Sequence, residues 1–271
     1  MAITFRKYEK LLKKIKKLNY EFICASQFNN FSDKEKVFIL NKHDIEKSTK
    51  NALKVAQIES KLQLKSTYFV QDYLISKPSD ISNIIKIKDL GHEIGYHYDC
   101  LDRFNGNYDL AINDFIKNIN RFLSLGIKIK SICPHGNAAI KRSGWFSNKD
   151  LSSHIKKVYG DQIFDIVIDI KDAKKNLKYV SDAGYKFNYI NKIWSNNPVS
   201  IPIKEFASYP MKDAIFSLII STHTHRFNNY GLIIFINKFL LNLLRRIYKL
   251  LKRYKVLNSL ISKIYFIGKF L

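Results

Sequence analysis

Short apolar runs alternate with segments of helical periodicity along most of this chain, and this alternation constrains the fold more than any other feature. The first runs are Val37–Leu40, Thr67–Val70 and His92–Tyr98. Between the first two, apolar residues from about Ser48 to Leu64 recur at the spacing of one helix face. Strands that alternate with helices in this way form a parallel sheet or barrel.

The same pattern predicts the remaining elements. Helices are predicted over 5–18, 48–64, from Ser79 or Asp80 to Lys88, over 108–124 and near 149–158. Strands are predicted at 37–42, 67–70, 92–98, 127–133, 164–168, 179–180 and 216–221. Six or seven such units in roughly 190 residues are too few for an eightfold barrel. The expected fold class is therefore α/β, an incomplete (β/α) barrel of about seven parallel strands.

Polar residues follow several of these strands, at the end where α/β enzymes keep their chemistry. They are His43, Asp44, Glu46, His97, His135, His223 and His225, and Pro134 and Gly136 flank His135. Carboxylates and imidazoles at neighbouring strand ends can hold a divalent metal together with a general base. A helical zinc-protease motif is excluded, because His92 and His97 are five residues apart rather than four and two glycines favour a strand.

The composition bounds the partners and the compartment. The net charge of +23 implies an anionic partner, whether nucleic acid, a membrane surface or an acidic glycan, although an AT-rich genome would account for part of the lysine content. The sequence contains no nucleic-acid-binding motif, so no specific nucleic acid is expected. The three scattered cysteines predict neither disulfides nor a zinc ribbon, and the first 20 residues contain no apolar signal core. We therefore expect a cytoplasmic protein.

The C-terminal segment differs from the rest of the chain. No acidic residue follows Asp213, and residues 232–271 contain nine lysines and arginines among many apolar residues. Apolar side chains from Leu240 to Tyr254 form a helical stripe that charges interrupt before it could span a bilayer. Two interpretations are open: the helix lies on anionic lipid at the inner face of the membrane, or it packs on the barrel.

Five segments together resemble the polysaccharide deacetylases of carbohydrate esterase family 4. They are His43-Asp44-Ile45-Glu46, Ala52–Glu59, Thr67-Tyr68-Phe69, Gly91–His97 and Pro134-His135-Gly136. The first is most similar to the subgroup in which this motif reads His-Asp-Val-Asp. The resemblance covers roughly residues 5 to 226. It implies a distorted (β/α) barrel that removes acetyl groups from N-acetylated sugars with a divalent metal, usually zinc.

The resemblance also implies roles for individual residues. Asp44 matches the general base, and His97 matches a metal ligand. Glu46 stands where the family has a metal-binding Asp. His223 matches the residue that protonates the leaving amine, with His225 as the alternative. Supporting roles are implied for His43, His92 and Asp182.

The chain departs from the family where a second metal-binding His is usual, because Leu101 occupies that position. His135 is the better replacement, and Asp99 and Asp102 are the alternatives. In many relatives a Tyr stands at the position of His135, and a backbone N–H of that Pro134–Gly136 segment binds the oxyanion. His135 is therefore expected to be a ligand, an oxyanion contact or both.

The sequence thus predicts a metal-dependent hydrolase that removes N-acetyl groups from a sugar or glycan precursor during assembly of a surface polysaccharide. The expected organisation is an N-terminal amphipathic helix packed on the barrel over 1–30, a catalytic domain over 31–228 and a basic helical tail over 229–271. Two alternatives remain: a carbohydrate-binding barrel with little or no activity, and a nucleic-acid-binding protein. The oligomeric state is not predicted.

Overall fold

A computed structural model describes residues 4–18, 20–32, 37–137, 140–171, 177–182, 188–191, 199–202 and 217–251. Its strands are β1 (Glu21–Ile23), β2 (Phe38–Ile45), β3 (Thr67–Val70), β4 (Glu93–Tyr98), β5 (Ser131–Pro134), β6 (Phe164–Asp165), β7 (Leu177–Ser181), β8 (Asn188–Asn191), β9 (Val199–Pro202) and β10 (Ser217–His223). Its α-helices are α1 (Phe5–Ile15), α2 (Phe28–Ser32), α3 (Thr49–Lys61), α4 (Pro78–Asp89), α5 (Cys100–Arg103), α6 (Tyr108–Ser124), α7 (Ser152–Tyr159), α8 (Ile168–Lys171) and α9 (Gly231–Leu251).

The described strands form one sheet. Seven of them run parallel in the order β6-β5-β4-β3-β2-β10-β7. Strands β8 and β9 extend the β7 edge in antiparallel pairing, and β1 pairs in parallel with the first half of β2. Helices α3, α4 and α6 bury their apolar faces against the outer side of this sheet. The predicted incomplete α/β barrel of about seven parallel strands is confirmed.

Strand β2 is central and is buried along its whole length. Phe38 and Leu40 belong to an apolar cluster on the concave side of the sheet, where side chains from β3, β5, β6 and β10 converge. Successive side chains of a strand point to opposite faces. Lys42 and Asp44 therefore continue the inner face of β2, whereas His43 points outward to the helices. The inner face changes from apolar to charged toward the carboxyl end of the strand.

Close packing around position 95 explains why this residue of the Gly91–His97 motif is glycine. A Cβ atom at this position would lie 2.6 Å from the ring of Phe69 and 2.9 Å from the Ser131 hydroxyl oxygen. Any larger residue would therefore push β4 away from β3 and β5. Because His97 follows two residues later on the same face, the close strand packing at Gly95 also positions the imidazole of His97 inside the barrel.

Some predicted boundaries were wrong. Helix α4 begins at Pro78 rather than at Ser79 or Asp80, since proline suits the first position of a helix. Strand β5 begins at Ser131 rather than at residue 127.

Strand β6 is shorter than the predicted 164–168. The Asp165 carboxylate accepts the Val167 amide at 2.7 Å and the Asp169 carboxylate accepts the Asp165 amide at 2.6 Å, so the chain turns into α8. Strands β1, β8 and β9 were not predicted.

The two terminal helices differ in how they meet the barrel. Helix α1 starts at the N-cap Thr4 and buries Phe5, Tyr8, Leu12 and Ile15, while its lysines face outward. Helix α9 leaves six large apolar residues exposed, namely Leu232, Ile233, Phe235, Ile236, Phe239 and Leu243. The part of the predicted stripe beyond residue 251 lies outside the described residues. Among the described residues, no helix is long and apolar enough to cross a membrane.

Candidate active site at the carboxyl rim of the barrel

Four parallel strands deliver polar side chains to one cavity at their carboxyl ends. Asp44 and His97 come from β2 and β4, Cys133 comes from β5, and His223 is the last residue of β10. Glu46 follows β2 directly. The cavity has a volume of about 210 Å³ and is also lined by Pro134, Gly136, Lys149, Tyr179 and Ser221. Residues separated by up to 179 positions in the sequence therefore share one site because parallel strands end at one rim.

Glu46, His97 and His135 form a group whose donor atoms could share a metal ion. The Glu46 Oε1 atom lies 3.3 Å from His135 Nε2 and 4.0 Å from His97 Nε2. Two ligands bonded to one zinc at 2.0–2.1 Å in tetrahedral geometry are about 3.4 Å apart. Two imidazoles and one carboxylate also make up a known set of protein ligands for catalytic zinc.

The tautomer of His97 favours this assignment. Its Nδ1 atom lies 3.0 Å from the carbonyl oxygen of Cys133, which can only accept a hydrogen bond. The Nδ1 atom therefore carries the hydrogen, and the lone pair of Nε2 faces Glu46. This backbone contact is the usual partner of a metal-binding histidine. Burial lowers the pKa of His97 to about 4 despite the nearby Asp44 carboxylate, which keeps the ring neutral, as a ligand requires.

A second group of possible ligands comprises Asp44, His97 and Cys133. It fits a metal less well than the first group. Burial raises the pKa of the Cys133 thiol to about 12, and a thiolate is the form that binds metal. The Asp44 carboxylate is also already paired with an ammonium group. We therefore assign Glu46, His97 and His135 as the set that fits a divalent metal.

The partner of Asp44 is Lys42, which the sequence analysis missed. The Lys42 Nζ atom lies 2.8 and 2.9 Å from the two carboxylate oxygens and also donates to Ser221 Oγ at 3.3 Å. Burial alone would raise the pKa of Asp44, but the Lys42 ammonium and two nearby histidines hold it below its ordinary value. Because Lys42 precedes Asp44 by two residues, strand periodicity could have placed both on one face.

His223 lies beside Asp44 and Glu46 at the same rim. Asp182 Oδ1 is 2.6 Å from its Nδ1 atom, and Asp182 Oδ2 accepts its backbone N–H at 3.0 Å. Burial would raise the pKa of Asp182, but Arg226 and His223 hold it well below its ordinary value. Arg226 Nη1 also lies 2.9 Å from Nδ1, and Nε2 lies 3.9 Å from Asp44 Oδ2 and 3.7 Å from Glu46 Oε1. Arg226, which the sequence analysis did not single out, fixes Asp182 through a 2.7 Å contact.

His225 occupies a less central position than His223. Its Nδ1 atom lies 4.0 Å from Glu46 Oε2, at the margin of the same cluster. Burial and the neighbouring Arg226 lower the pKa of His225 to about 3. A base this weak is a poor candidate to carry a proton to a leaving group near neutral pH, so the structure favours His223 for that role.

Two of the three residues of the Pro134–Gly136 segment have no free backbone N–H to offer an oxyanion. Pro134 has no N–H, and the N–H of His135 donates to the Tyr98 carbonyl oxygen at 2.7 Å. Gly136 lines the cavity, with open space where a Cβ atom would lie. The backbone N–H of Gly136 is therefore the candidate donor in this segment, while the His135 ring is turned to Glu46.

His43 and His92 lie on the outer side of the sheet, away from the cavity. His43 Nε2 is 2.7 Å from Glu59 Oε1 and its Nδ1 contacts Thr222 Oγ1. His92 Nε2 is 3.0 Å from the Ala56 carbonyl oxygen of helix α3. Both rings therefore tie β2 and β4 to α3, which is a structural role beneath the site.

The acids near Leu101 do not join the metal-ligand group. The carboxylate of Asp102 accepts two bonds of 2.6 Å from Arg142 and one of 2.9 Å from each of Trp145 and Asn148. Asp99 accepts Arg103 at 2.6 Å. Leu101 itself is fully buried in the apolar core. The imidazole of His135 therefore lies beside Glu46, whereas the side chain of Leu101 does not reach it.

An incomplete α/β barrel with a histidine–carboxylate cluster at its carboxyl rim is the class of structure that these observations define. No protein-family model and no curated protein matches the chain. Among solved structures, it is similar to a CE4 esterase from Streptococcus mutans, with 12% identity and a TM-score of 0.45 over 76% of this chain and 82% of that one. A family 4 carbohydrate esterase from Bacillus anthracis has 15% identity and a TM-score of 0.41, over 79% and 76%.

A third similar structure is the catalytic domain of a peptidoglycan N-acetylglucosamine deacetylase from Eubacterium rectale. It has 15% identity and a TM-score of 0.41, and the match covers 69% of this chain and 76% of that one.

Proposed function

We propose that this chain is a metal-dependent hydrolase that removes N-acetyl groups from a sugar or glycan precursor. One observation carries the proposal: a possible metal-ligand group, Glu46, His97 and His135, lies beside a carboxylate, Asp44, and an imidazole, His223, that are suited to opposite proton transfers. The motifs that resemble family 4 carbohydrate esterases support an N-acetylated sugar as the substrate. The basic tail supports a setting at the cytoplasmic face of a membrane, in surface glycan assembly.

A divalent metal held by Glu46, His97 and His135, with zinc as the best match to these donors, would polarise the acetamide carbonyl and lower the pKa of a water molecule. Asp44 accepts the proton of the attacking water. Its pKa is low for a general base at neutral pH, but the pairing with Lys42 keeps it ionised and ready to accept. The N–H of Gly136 helps to hold the negative charge that develops on the carbonyl oxygen.

His223 completes the reaction by donating a proton from Nε2 to the departing amine. Asp182 contacts Nδ1 at 2.6 Å, which leaves Nε2 facing Asp44 and Glu46. Arg226 in turn fixes Asp182, so the donor is oriented by a chain of contacts that reaches from β10 to β7.

Acetate release from a soluble N-acetylglucosamine tetramer tests this proposal. The purified protein should contain about one zinc per chain, lose acetate release on treatment with a chelator, and regain it when zinc is added back. Acetate release that survives complete metal removal would contradict the metal-dependent reaction.

A carbohydrate-binding barrel without activity is the second candidate. It is favoured by Leu101, which occupies a position where the family usually has a ligand, and by the tight Lys42–Asp44 ion pair. Calorimetric titration with the same tetramer separates the two functions. Saturable binding without bound zinc and without acetate release would establish the binding barrel and remove the hydrolase.

A further inference from the structure

Helix α9 carries a contiguous apolar stripe that faces solvent. Leu232, Phe235 and Phe239 are 69%, 64% and 60% exposed, and Ile236 and Leu243 are also exposed. Their spacing of three and four residues places them on one face of the helix. Exposed apolar patches of this kind mark interaction sites in soluble proteins.

The beginning of α9 is fixed to the barrel on its opposite side. Ile234 is buried, and a rotation of about 100° per residue places it roughly opposite the stripe. The preceding segment is held by hydrogen bonds from Asn51 Nδ2 to the Phe227 carbonyl at 3.0 Å and from Lys54 Nζ to Asn229 Oδ1 at 2.6 Å. The stripe is therefore displayed outward by an anchored helix.

Basic residues lie on α9 itself and on the neighbouring helix α1. Lys238 and Arg246 belong to α9, and no acidic residue occurs anywhere in the sequence after Asp213. The start of α9 also adjoins α1, because the Phe5 N–H donates to the Asn228 carbonyl at 3.2 Å. Helix α1 adds exposed basic side chains, namely Arg6, Lys7, Lys10, Lys13 and Lys14. Apolar and aromatic residues flanked by basic ones are typical of helices that lie at a lipid interface.

We propose that the outward face of α9 docks on an anionic phospholipid surface, with the helix axis in the plane of the headgroups. The stripe would insert among the acyl chains, while the lysines and arginines contact the phosphates. A second copy of this chain is a poorer occupant, because each copy carries a net charge of +23 and α9 offers no carboxylate to a basic partner.

Vesicle sedimentation with the full-length chain tests the proposal. Binding is expected to vesicles of phosphatidylglycerol and phosphatidylcholine, more weakly to phosphatidylcholine alone, and to decrease as salt rises. Phe235→Ser/Phe239→Ser should lower binding at least tenfold. The matched variant Leu123→Ser/Phe146→Ser, which changes two exposed apolar residues elsewhere at 58% and 87% exposure, should bind like the parent chain. An equal loss in both variants would overturn the assignment to α9.

Site-specific labelling identifies the inserted face. The three native cysteines are buried, so a polarity-sensitive fluorophore can be directed to Phe239→Cys or, as control, Phe146→Cys. Anionic vesicles should shift the emission to the blue at position 239 and leave it unchanged at position 146. The proposal fails if the parent chain does not bind vesicles. It also fails if a concentration-dependent dimer, abolished by Phe235→Ser/Phe239→Ser, accounts for the blue shift without lipid.

Discussion

A glutamate meets histidine side chains on each face of strand β2, and the group on the inner face lies beside a cavity. On the outer face, Glu59 from helix α3 accepts hydrogen bonds from Tyr68 at 2.6 Å and Asn41 at 2.7 Å, and it contacts His43 at 2.7 Å. This cluster is fully buried. On the inner face, Glu46 approaches the imidazoles of His97 and His135 at 4.0 and 3.3 Å, beside a cavity.

The outer and inner carboxylates are therefore suited to different roles. The outer carboxylate is saturated by donors and has no access to a ligand, so its hydrogen bonds can only stabilise the fold. The inner carboxylates leave acceptor atoms near a cavity, where a metal or a substrate can use them. His43 and Asp44 are adjacent in the sequence, but successive side chains of a strand alternate, so His43 points to the outer face of β2 and Asp44 to the inner face.

The largest expected effect is on the inner face, at the proposed base. Asp44→Asn should lower kcat for acetate release by roughly 10²–10⁴-fold, because an amide cannot take up the proton. Bound zinc should change little, but the melting temperature should fall, because the buried Lys42 ammonium loses its charged partner. The control is Asp109→Asn, an exposed acid at the start of α6, which should leave kcat unaltered. Activity of Asp44→Asn within a few-fold of the parent would remove Asp44 from this role.

The next largest effect is expected on the outer face of β2, and it is a change in stability rather than in catalysis. Glu59→Gln should lower the free energy of unfolding at neutral pH by on the order of 3 kcal/mol, because buried donors lose their charged acceptor. Denaturant titration measures this. The folded fraction should retain zinc and kcat. A variant that remains stable but loses kcat would instead place Glu59 in the reaction.

Metal binding offers a smaller and more local effect. His135→Ala should weaken zinc affinity by at least the roughly 10–100-fold that loss of an outer-shell partner commonly costs, because it removes a proposed direct ligand. Leu101→His should give no gain in affinity, because Leu101 is packed in the core and does not face Glu46. Competition with a fluorescent chelator measures both constants. Tighter binding by Leu101→His would show that position 101 reaches the metal.

The sequence predicted the strand order along the chain and the residues that end at the rim, since apolar runs and their polar ends are local features. It did not predict that Lys42 pairs with Asp44, although strand periodicity places both on one face, or that Arg226 fixes Asp182. The contact between Arg226 and Asp182 depends on the register between β7 and β10, which brings together residues 44 positions apart. Local periodicity contains no information about such register.

Strand β1 was missed, and β6 was predicted too long, for a related reason. Strand β1 has three residues and the observed β6 has two, so neither contains enough residues to show an alternating pattern. Both pair with longer neighbours, β2 and β5, that define them. Their bounds follow from the assembled sheet rather than from their own sequence.

The smallest expected effect is the loss, at acidic pH, of the contribution that Glu59 makes to the free energy of unfolding. Burial alone would raise the pKa of Glu59, but His43 and its other hydrogen-bond partners lower it from 4.5 to about 2. A carboxylate whose pKa is lower in the folded state stabilises the protein above its unfolded pKa, and this contribution is lost as pH falls through the folded value. The difference in unfolding free energy between the parent chain and Glu59→Gln should therefore be constant above about pH 5 and shrink toward pH 2. Denaturant titrations of both proteins at several acidic pH values measure it. A difference that is independent of pH over this range would mean that the pKa of Glu59 is the same in the folded and the unfolded protein, so that its charge makes no net contribution to stability.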